Sequence, residues 1–385
     1  MRILVAHHRY RVRGGEDQAV DREVAMLREA GEEVELWERD SREIVSLGAR
    51  VRTAWDMPYS EQSRDELYAK LESYRPDLVH VHNFFPTFTP SLYDACAKAG
   101  VPVVQTLHNF RIFCASGVLA RDGKPCELCL GGSTLPALRY ACYQDSRLST
   151  LALTRMIRIH RRENTWNGKV ARFIALSNFS ADKLAEGGLA RAKIRIKPNF
   201  AFAPPAGTAR VREDYALYVG RLSDEKGVRT LLRAWEGLDI PLWIVGDGPL
   251  RAAVAAAKNP RIRIMGAMPS SSVMRIMGRS RFLVVPSECY ENFPVVVAEA
   301  FSLGLPVVAS RLGALGEIVR PGDNGLLFAP GAAEELREQV RKLAGSPDLH
   351  ERLSRGASED FRAKYTPERN LEILREIYRD VLQAP

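Results

Sequence analysis

The feature that most constrains this chain is an alternation, run through twice with one break, of short apolar segments and longer stretches of helical period. Short runs of Val, Ile and Leu suit strands buried on both faces, and parallel neighbours need crossover helices to connect them. In the first half, strands are expected at Ile3–His7, Val34–Trp37, Leu78–His82, Val103–Leu107, Phe173–Leu176 and Ile194–Lys197. Helices are expected at Glu16–Ala30, Arg64–Ser73, Pro90–Ala99 and Ser180–Gly187. The Pro/Ala/Gly stretch Ala203–Ala209 reads as an interdomain linker. The alternation then restarts, with strands at Tyr215–Val219, Leu242–Val245, Ile262–Met265, Phe282–Val285, Pro306–Ala309 and Gly325–Phe328. A last helix, Glu368–Gln383, has no strand behind it and is expected to cross back to the first domain. The expected fold is α/β, with two doubly wound, Rossmann-like domains facing across a cleft. They are residues 1–200, completed by 368–385, and residues 201–367; 385 residues suffice for both. No internal repeat of 20–50 residues is visible.

Composition narrows the class. Charged residues at 26% and hydrophobic ones at 46% fit a soluble globular protein. No window approaches the roughly 18 apolar residues of a membrane span. The chain starts directly on an apolar strand, without a cleavable leader, so a cytoplasmic location is expected. The net charge of +8 is uneven: seven basic residues (Arg147, Arg155, Arg158, Arg161, Arg162, Lys169, Arg172) stand against Glu163 alone in residues 147–172. With Leu148, Leu151, Ile157, Ile159 and Trp166, that segment suits three roles: peripheral contact with the inner face of an anionic membrane, capture of an anionic acceptor, or a solvated helix covering the core with its leucines. No nucleic-acid motif accompanies the charge, so no nucleic-acid partner is expected.

Chemistry concentrates where strands end, because ligands of open parallel sheets bind beyond the strands' carboxyl ends. Gly220-Arg221-Leu222-Ser223-Asp224-Glu225-Lys226-Gly227 follows one strand. Two cations beside a helix start form an oxyanion site suited to a diphosphate. Val245-Gly246-Asp247-Gly248-Pro249-Leu250 follows another strand and lacks the third glycine of a dinucleotide fingerprint, which argues against a nicotinamide cofactor. Glu291 lies in a polar loop after Phe282–Val285, and Glu299 lies on a helix expected to open at Asn292-Phe293-Pro294. One carboxylate suits ribose hydroxyls; the other suits a sugar or positive charge developing at its anomeric carbon. In the first domain, Gly14-Gly15 offers backbone N–H groups to an anion, and His108 ends the strand before it at the same rim. For a lone histidine, structural and functional roles stay open.

The segments Gly220–Gly227, Val245–Leu250 and Glu291–Ser310 together resemble glycosyltransferase family 4, the retaining group 1 glycosyltransferases of GT-B fold. The resemblance covers nearly the whole chain. It implies transfer of a sugar from a nucleotide-diphosphate donor to a glycan or polyprenyl-linked acceptor, in bacterial polysaccharide or cell-surface glycan synthesis, with no cofactor for catalysis. It places Arg221 and Lys226 on the diphosphate, Glu299 on the ribose, and Glu291 with the Asn292–Val295 backbone on the donor sugar. It also places Gly246 at the donor, His108 against the sugar and Gly14-Gly15 near the phosphate. Asn292-Phe293-Pro294 departs from the glycine-rich residues common in the family, and Pro294 removes one N–H that would hold a sugar hydroxyl. Pro198-Asn199-Phe200 stands where the family has Pro-Asn-Gly. Alternatives are a sugar-nucleotide epimerase of similar shape and a non-catalytic sugar-nucleotide-binding homologue. A glycogen-type phosphorylase would need a longer chain and a pyridoxal lysine.

Four of the six cysteines, Cys114, Cys126, Cys129 and Cys142, fall within an insertion at residues 109–145. Their C-x11-C-x2-C-x12-C spacing, with turn formers between, suits a four-thiolate structural zinc. The other reading is four reduced thiols. Cys96 and Cys289 are expected as buried thiols.

Overall fold

In a computed structural model of the chain, residues 1–11, 14–204 and 212–383 are described. Pro205–Ala209 of the expected linker therefore lie outside the described residues. The chain divides into two compact units, one of Met1–Arg121, Cys126–Lys197 and Leu371–Pro385, the other of Asp122–Pro125 and Pro198–Asn370.

The first unit holds a six-stranded sheet. Its strands are β1 (Arg2–Arg9), β2 (Glu33–Asp40), β3 (Leu78–Asn83), β4 (Val103–Thr106), β7 (Arg172–Ala175) and β8 (Ile194–Ile196), in the order β2-β1-β3-β4-β7-β8. Two-residue strands β5 (Ala120–Arg121) and β6 (Lys124–Pro125) flank Asp122-Gly123. The pairings within the six-stranded sheet are parallel. The strand order reverses between β1 and β3, and a bulge shifts the register there between Ala6 and His7. The last helix, Pro367–Leu382, bonds into this unit: Arg375 to Glu32 at 2.6 Å, Arg172 to Asp380 at 2.7 Å, and the Tyr378 hydroxyl to His80 Nδ1 at 2.7 Å.

The second unit holds β9 (Ala216–Val219), β10 (Leu242–Val245), β11 (Ile262–Gly266), β12 (Phe282–Val285), β13 (Val307–Ser310) and β14 (Gly325–Phe328). They form a parallel sheet of order β11-β10-β9-β12-β13-β14, reversing between β9 and β12. Each of the twelve strands read from the sequence is present. Strands β12 and β13 are buried throughout, as apolar runs with helices on both sides require. The core on one face gathers Leu222, Leu231, Trp235, Ile244, Phe328 and Leu353.

The basic segment divides. Helix Arg147–Arg162 begins on a Ser146 cap and buries Leu153, Met156, Ile157 and His160. Leu148 and Leu151 are 81% and 50% exposed, so these leucines do not cover the core. Arg172 is instead a strand residue paired with Asp380, and Lys169 is paired with Asp94. No helix among the described residues is long and apolar enough to cross a membrane.

Candidate functional site

In the second unit, the sheet's reversal sets the loop after β9 beside the loop after β12. Gly227 has φ +70°, and a Cβ there would lie 1.7 Å from the Pro286 carbonyl oxygen. Only glycine allows that approach. The Glu288 N–H donates to the Glu225 carbonyl at 3.0 Å and fastens the two loops. They bring Lys226 Nζ to 2.6 Å from Glu291 Oε1, and the Ser287 hydroxyl donates to the same oxygen at 2.7 Å. Burial disfavours the Lys226 charge, but the Glu291 carboxylate outweighs it and raises the lysine pKa. Arg221 is exposed on the same loop, its carbonyl accepting from the Tyr218 hydroxyl at 2.7 Å.

The following helix spans Val295–Ser302, with Pro294 as its N-cap rather than as part of the helix. The extended conformation of Pro294 keeps it out of the helix, and its ring disfavours a helical Phe293 before it. Glu299 is 9% exposed and stands little more than one turn into this helix. The Phe293 side chain is buried against Tyr365, with ring centroids 5.3 Å apart, and Asn199 Nδ2 donates to the Phe293 carbonyl at 3.4 Å. Asn292 sits between Glu291 and Phe293 in the loop. The N–H groups of Val295 and Val296 begin the helix, where no earlier turn supplies acceptors. Gly246 serves the loop packing: its N–H donates to Gly266 O at 2.9 Å, and a Cβ there would lie 1.9 Å from Gly220 O. Cys289 is buried beside Glu225 and Glu291, and burial first, then these carboxylates, push its thiol up to about 12.

In the first unit, Gly14 and Gly15 have open space where a Cβ would point, so packing does not demand glycine at either position. The Gly14 N–H donates to Asp17 Oδ2 at 2.9 Å, and Asp17 Oδ1 stands 2.8 Å from His7 Nε2. Next to them, the Tyr10 hydroxyl donates to Glu16 at 3.0 Å and Asn109 Nδ2 to the same carboxylate oxygen at 3.3 Å. Burial raises the Glu16 pKa to about 7, with His7 and the Tyr10 bond opposing.

His108 belongs to a buried network that sequence reading did not find. Its Nε2 lies 3.0 Å from His82 Nδ1, and the rings stack at 5.3 Å. His82 Nε2 and His80 Nδ1 each stand 3.2 Å from Glu23 Oε1, and Lys197 Nζ donates to Glu23 Oε2 at 2.7 Å. Burial alone would raise Glu23; the Lys197 ammonium is the largest cause opposing it, and the carboxyl is held well below the usual carboxylate range. Burial holds His80, His82 and His108 neutral. With Glu23 ionised, the proton of His82 is assigned to Nε2, facing the carboxylate. Its Nδ1 then accepts from His108 Nε2–H, which leaves His108 Nδ1 an acceptor. The sequence signal was available: His80 and His82 alternate on one face of a fully buried strand. Glu23, His80 and His82 bring ligand atoms within 4.8 Å of one another. The Lys197 ammonium already supplies the positive charge that this carboxylate needs.

The four cysteines of the insertion, all free, line one pocket with Arg121, Pro136, Ala137 and Tyr140. Cys114 and Cys129 are buried, Cys126 and Cys142 half-buried. Burial first, then the other three thiols, raise Cys142 to about 11. They surround the pocket without being drawn to coordination distance.

The family description "glycosyl transferase 4-like domain" matches residues 14–199, and "glycosyl transferases group 1" matches residues 213–346. This chain belongs to the group 1 glycosyltransferases. An uncharacterised glycosyltransferase of Methanocaldococcus jannaschii is 32% identical over 172 residues, 44% of this chain and 48% of that protein. The chain thus spans about half the length of the curated relatives it matches, 48% and 50% for the two foremost. Among solved structures, sucrose-phosphate synthase of Thermosynechococcus elongatus superposes with a TM-score of 0.71 at 19% identity, covering 100% of both chains. Anabaena HepE in complex with UDP superposes at 0.68 and 16% identity, covering 99% of this chain and 100% of that one. The fold of this group 1 member is therefore GT-B, with two Rossmann-like domains.

Proposed function

We propose that this chain is a retaining glycosyltransferase that moves a sugar from a nucleotide-diphosphate donor to a glycan or lipid-linked acceptor. The observation that carries the reading is the convergence of Lys226, Glu291 and Ser287 where the second sheet reverses, with Arg221 exposed beside them and Glu299 on the next helix. Arg221 and Lys226 hold the diphosphate, and Glu299 accepts from the ribose hydroxyls. Glu291 and the backbone of Asn292–Val295 hold the donor sugar. His108 contacts the donor sugar, and Gly14-Gly15 allow a phosphate to approach. Gly246 serves the donor indirectly, by seating its loop against Gly220. The acceptor oxygen attacks the anomeric carbon on the face from which the diphosphate departs. The C–O bond to phosphate breaks as the new glycosidic bond forms, and the acceptor proton passes to the departing phosphate oxygen. No cofactor takes part. HepE, a fold neighbour, binds UDP and UDP-glucose, which supports a nucleotide-sugar donor here.

The acceptor side is read as membrane-bound, in a bacterial surface-glycan pathway, with the protein cytoplasmic and peripheral on the inner membrane face. Leu47, Val51 and Trp55, one face of helix Leu47–Asp56, are exposed together with Leu148 and Leu151. Arg155 lies over the Trp55 ring at 5.4 Å. Apolar side chains beside an arginine suit an anionic lipid interface. A panel of nucleotide sugars tests the donor reading by thermal stabilisation and slow hydrolysis. A nucleoside diphosphate at about 100 times its dissociation constant stabilises by about 2.7 kcal/mol. No stabilisation by any nucleotide overturns the reading.

A further inference from the structure

The insertion between His108 and helix Arg147–Arg162 has little regular structure: β5, β6 and the five-residue helix Leu135–Arg139. Its backbone enters the left-handed region at Leu119, Asp122, Ala141, Gln144 and Asp145, a conformation that leucine and alanine disfavour. Such residues persist only where their surroundings over-determine them. Each cysteine is nonetheless placed by backbone bonds. The Cys114 N–H donates to Phe110 O at 2.8 Å, Cys126 N–H to Leu119 O at 2.7 Å, and Cys142 N–H to Ala137 O at 3.1 Å. The Leu130 N–H closes a turn onto Glu127 O at 2.9 Å, around the Cys126–Cys129 pair.

From this convergence we propose that Cys114, Cys126, Cys129 and Cys142 form a structural site for one zinc ion. Four soft thiolates in a loop-rich segment match a closed, tetrahedral zinc site, and binding cross-links pieces of chain that lack a layered core of their own. The rival accounts fit less well. No pair among the four is joined as a disulfide, and Cys126 and Cys142 are too exposed to act as small core residues, the part taken by fully buried Cys96. Coordination draws the sulfurs together by rotation about their Cα–Cβ bonds, on a backbone that already sets all four around one pocket. The resulting negative charge lies among basic groups: Arg121 lines the pocket and Arg161 Nη2 donates to the Cys129 carbonyl at 3.5 Å. The metal would fix the segment that carries Asn109 to Glu16 and Tyr10. This site asks nothing of the donor and stands apart from the transferase reading.

The test uses the full chain, expressed in zinc-supplemented medium and purified without chelator. Elemental analysis is expected to give about one zinc per chain, the stoichiometry of a four-thiolate site. Titration with a mercurial, followed with a zinc-sensitive dye, is expected to release that zinc as the four thiols are modified. Cys126→Ser and Cys142→Ser lose the metal, while Cys96→Ala and Cys289→Ala keep it. Less than about half an equivalent in cooperatively melting wild-type protein overturns the proposal. Iron in place of zinc, or a Cys126–Cys129 disulfide in the mass spectrum, overturns it equally. Should the serine variants fail to fold, the wild-type zinc content and the mercurial stoichiometry decide alone.

Discussion

The Lys226–Glu291 pair makes a prediction in which stability and ligand affinity move in opposite directions. The ions stand 2.6 Å apart, with side chains 35% and 16% exposed. An exposed pair contributes up to about 1 kcal/mol, and breaking a fully buried one costs about 3–5 kcal/mol. Solvent reaches a third of the lysine, so a value near the lower end, about 1–2 kcal/mol, is expected. If Lys226 binds diphosphate, it must turn from Glu291 when ligand arrives. Glu291→Gln keeps the shape and removes the competing charge. It should lower unfolding free energy by about 1 kcal/mol. It should also tighten nucleoside diphosphate binding, at most by the roughly 5–30-fold that 1–2 kcal/mol represents. Turnover should fall, because Glu291 no longer serves the sugar. Lys226→Met should destabilise similarly but weaken binding, since a hydrogen bond to a charged group contributes about 1.5–3 kcal/mol. The assay is calorimetric titration with UDP and GDP, beside denaturant unfolding of the same variants. If Glu291→Gln weakens binding as much as Lys226→Met does, the pair is not a competitor for the diphosphate and the reasoning fails.

Three further outcomes follow from the geometry. Gly227→Ala should cost about 2–4 kcal/mol, combining left-handed strain with overpacking against Pro286 O, and should impair nucleotide binding with it; a loss under about 0.5 kcal/mol in denaturant unfolding would contradict the close approach. Glu299→Ala should weaken binding of a ribonucleoside diphosphate while leaving the 2′,3′-dideoxy analogue unaffected, and equal losses for both would remove Glu299 from the ribose. Glu16, raised by burial to about 7, is protonated in the folded protein where the unfolded chain is ionised. Its stabilising contribution is therefore complete below about pH 4.5 and is lost as pH rises through about 7, roughly 3 kcal/mol in all. Wild type should lose stability relative to Glu16→Gln over that window, and parallel pH profiles would refute the assignment.

What the sequence disclosed follows the range of the interactions involved. Strands such as Phe282–Val285 are legible because burial on both faces writes itself as an uninterrupted apolar run. Gly227 was legible as part of a turn, but not as the point where two loops approach so closely that a Cβ would lie 1.7 Å from Pro286 O, because Pro286 lies far along the chain. Ser287 escaped although it stands close to Glu291 in the chain, because their contact depends on the loop's path rather than on a pattern. The start of the helix at Val295 depended on the residue before it, where the extended Pro294 and its ring's clash with a helical Phe293 decide a boundary that hydrophobic period leaves loose.

His108 shows the limit most clearly. Read alone, it is one histidine at the end of a strand, and nothing local separates a structural ring from a functional one. Its chemistry is set by partners from four other segments. Glu23 lies on the first helix, His82 on β3 and Lys197 just past β8, with Tyr378 of the last helix behind His80. Because Lys197 keeps Glu23 ionised, the carboxylate orients His82, and His82 orients His108. The acceptor character of His108 Nδ1 is therefore a property of that buried ion pair more than of the histidine. Replacing Lys197 with methionine would remove the charge that keeps Glu23 ionised. A protonated Glu23 then donates to His82 Nε2, and the chain of protons reverses, turning His108 Nδ1 into a donor. Sequence pattern records each of these residues, but the direction of the hydrogen bonds exists only once the fold has joined them.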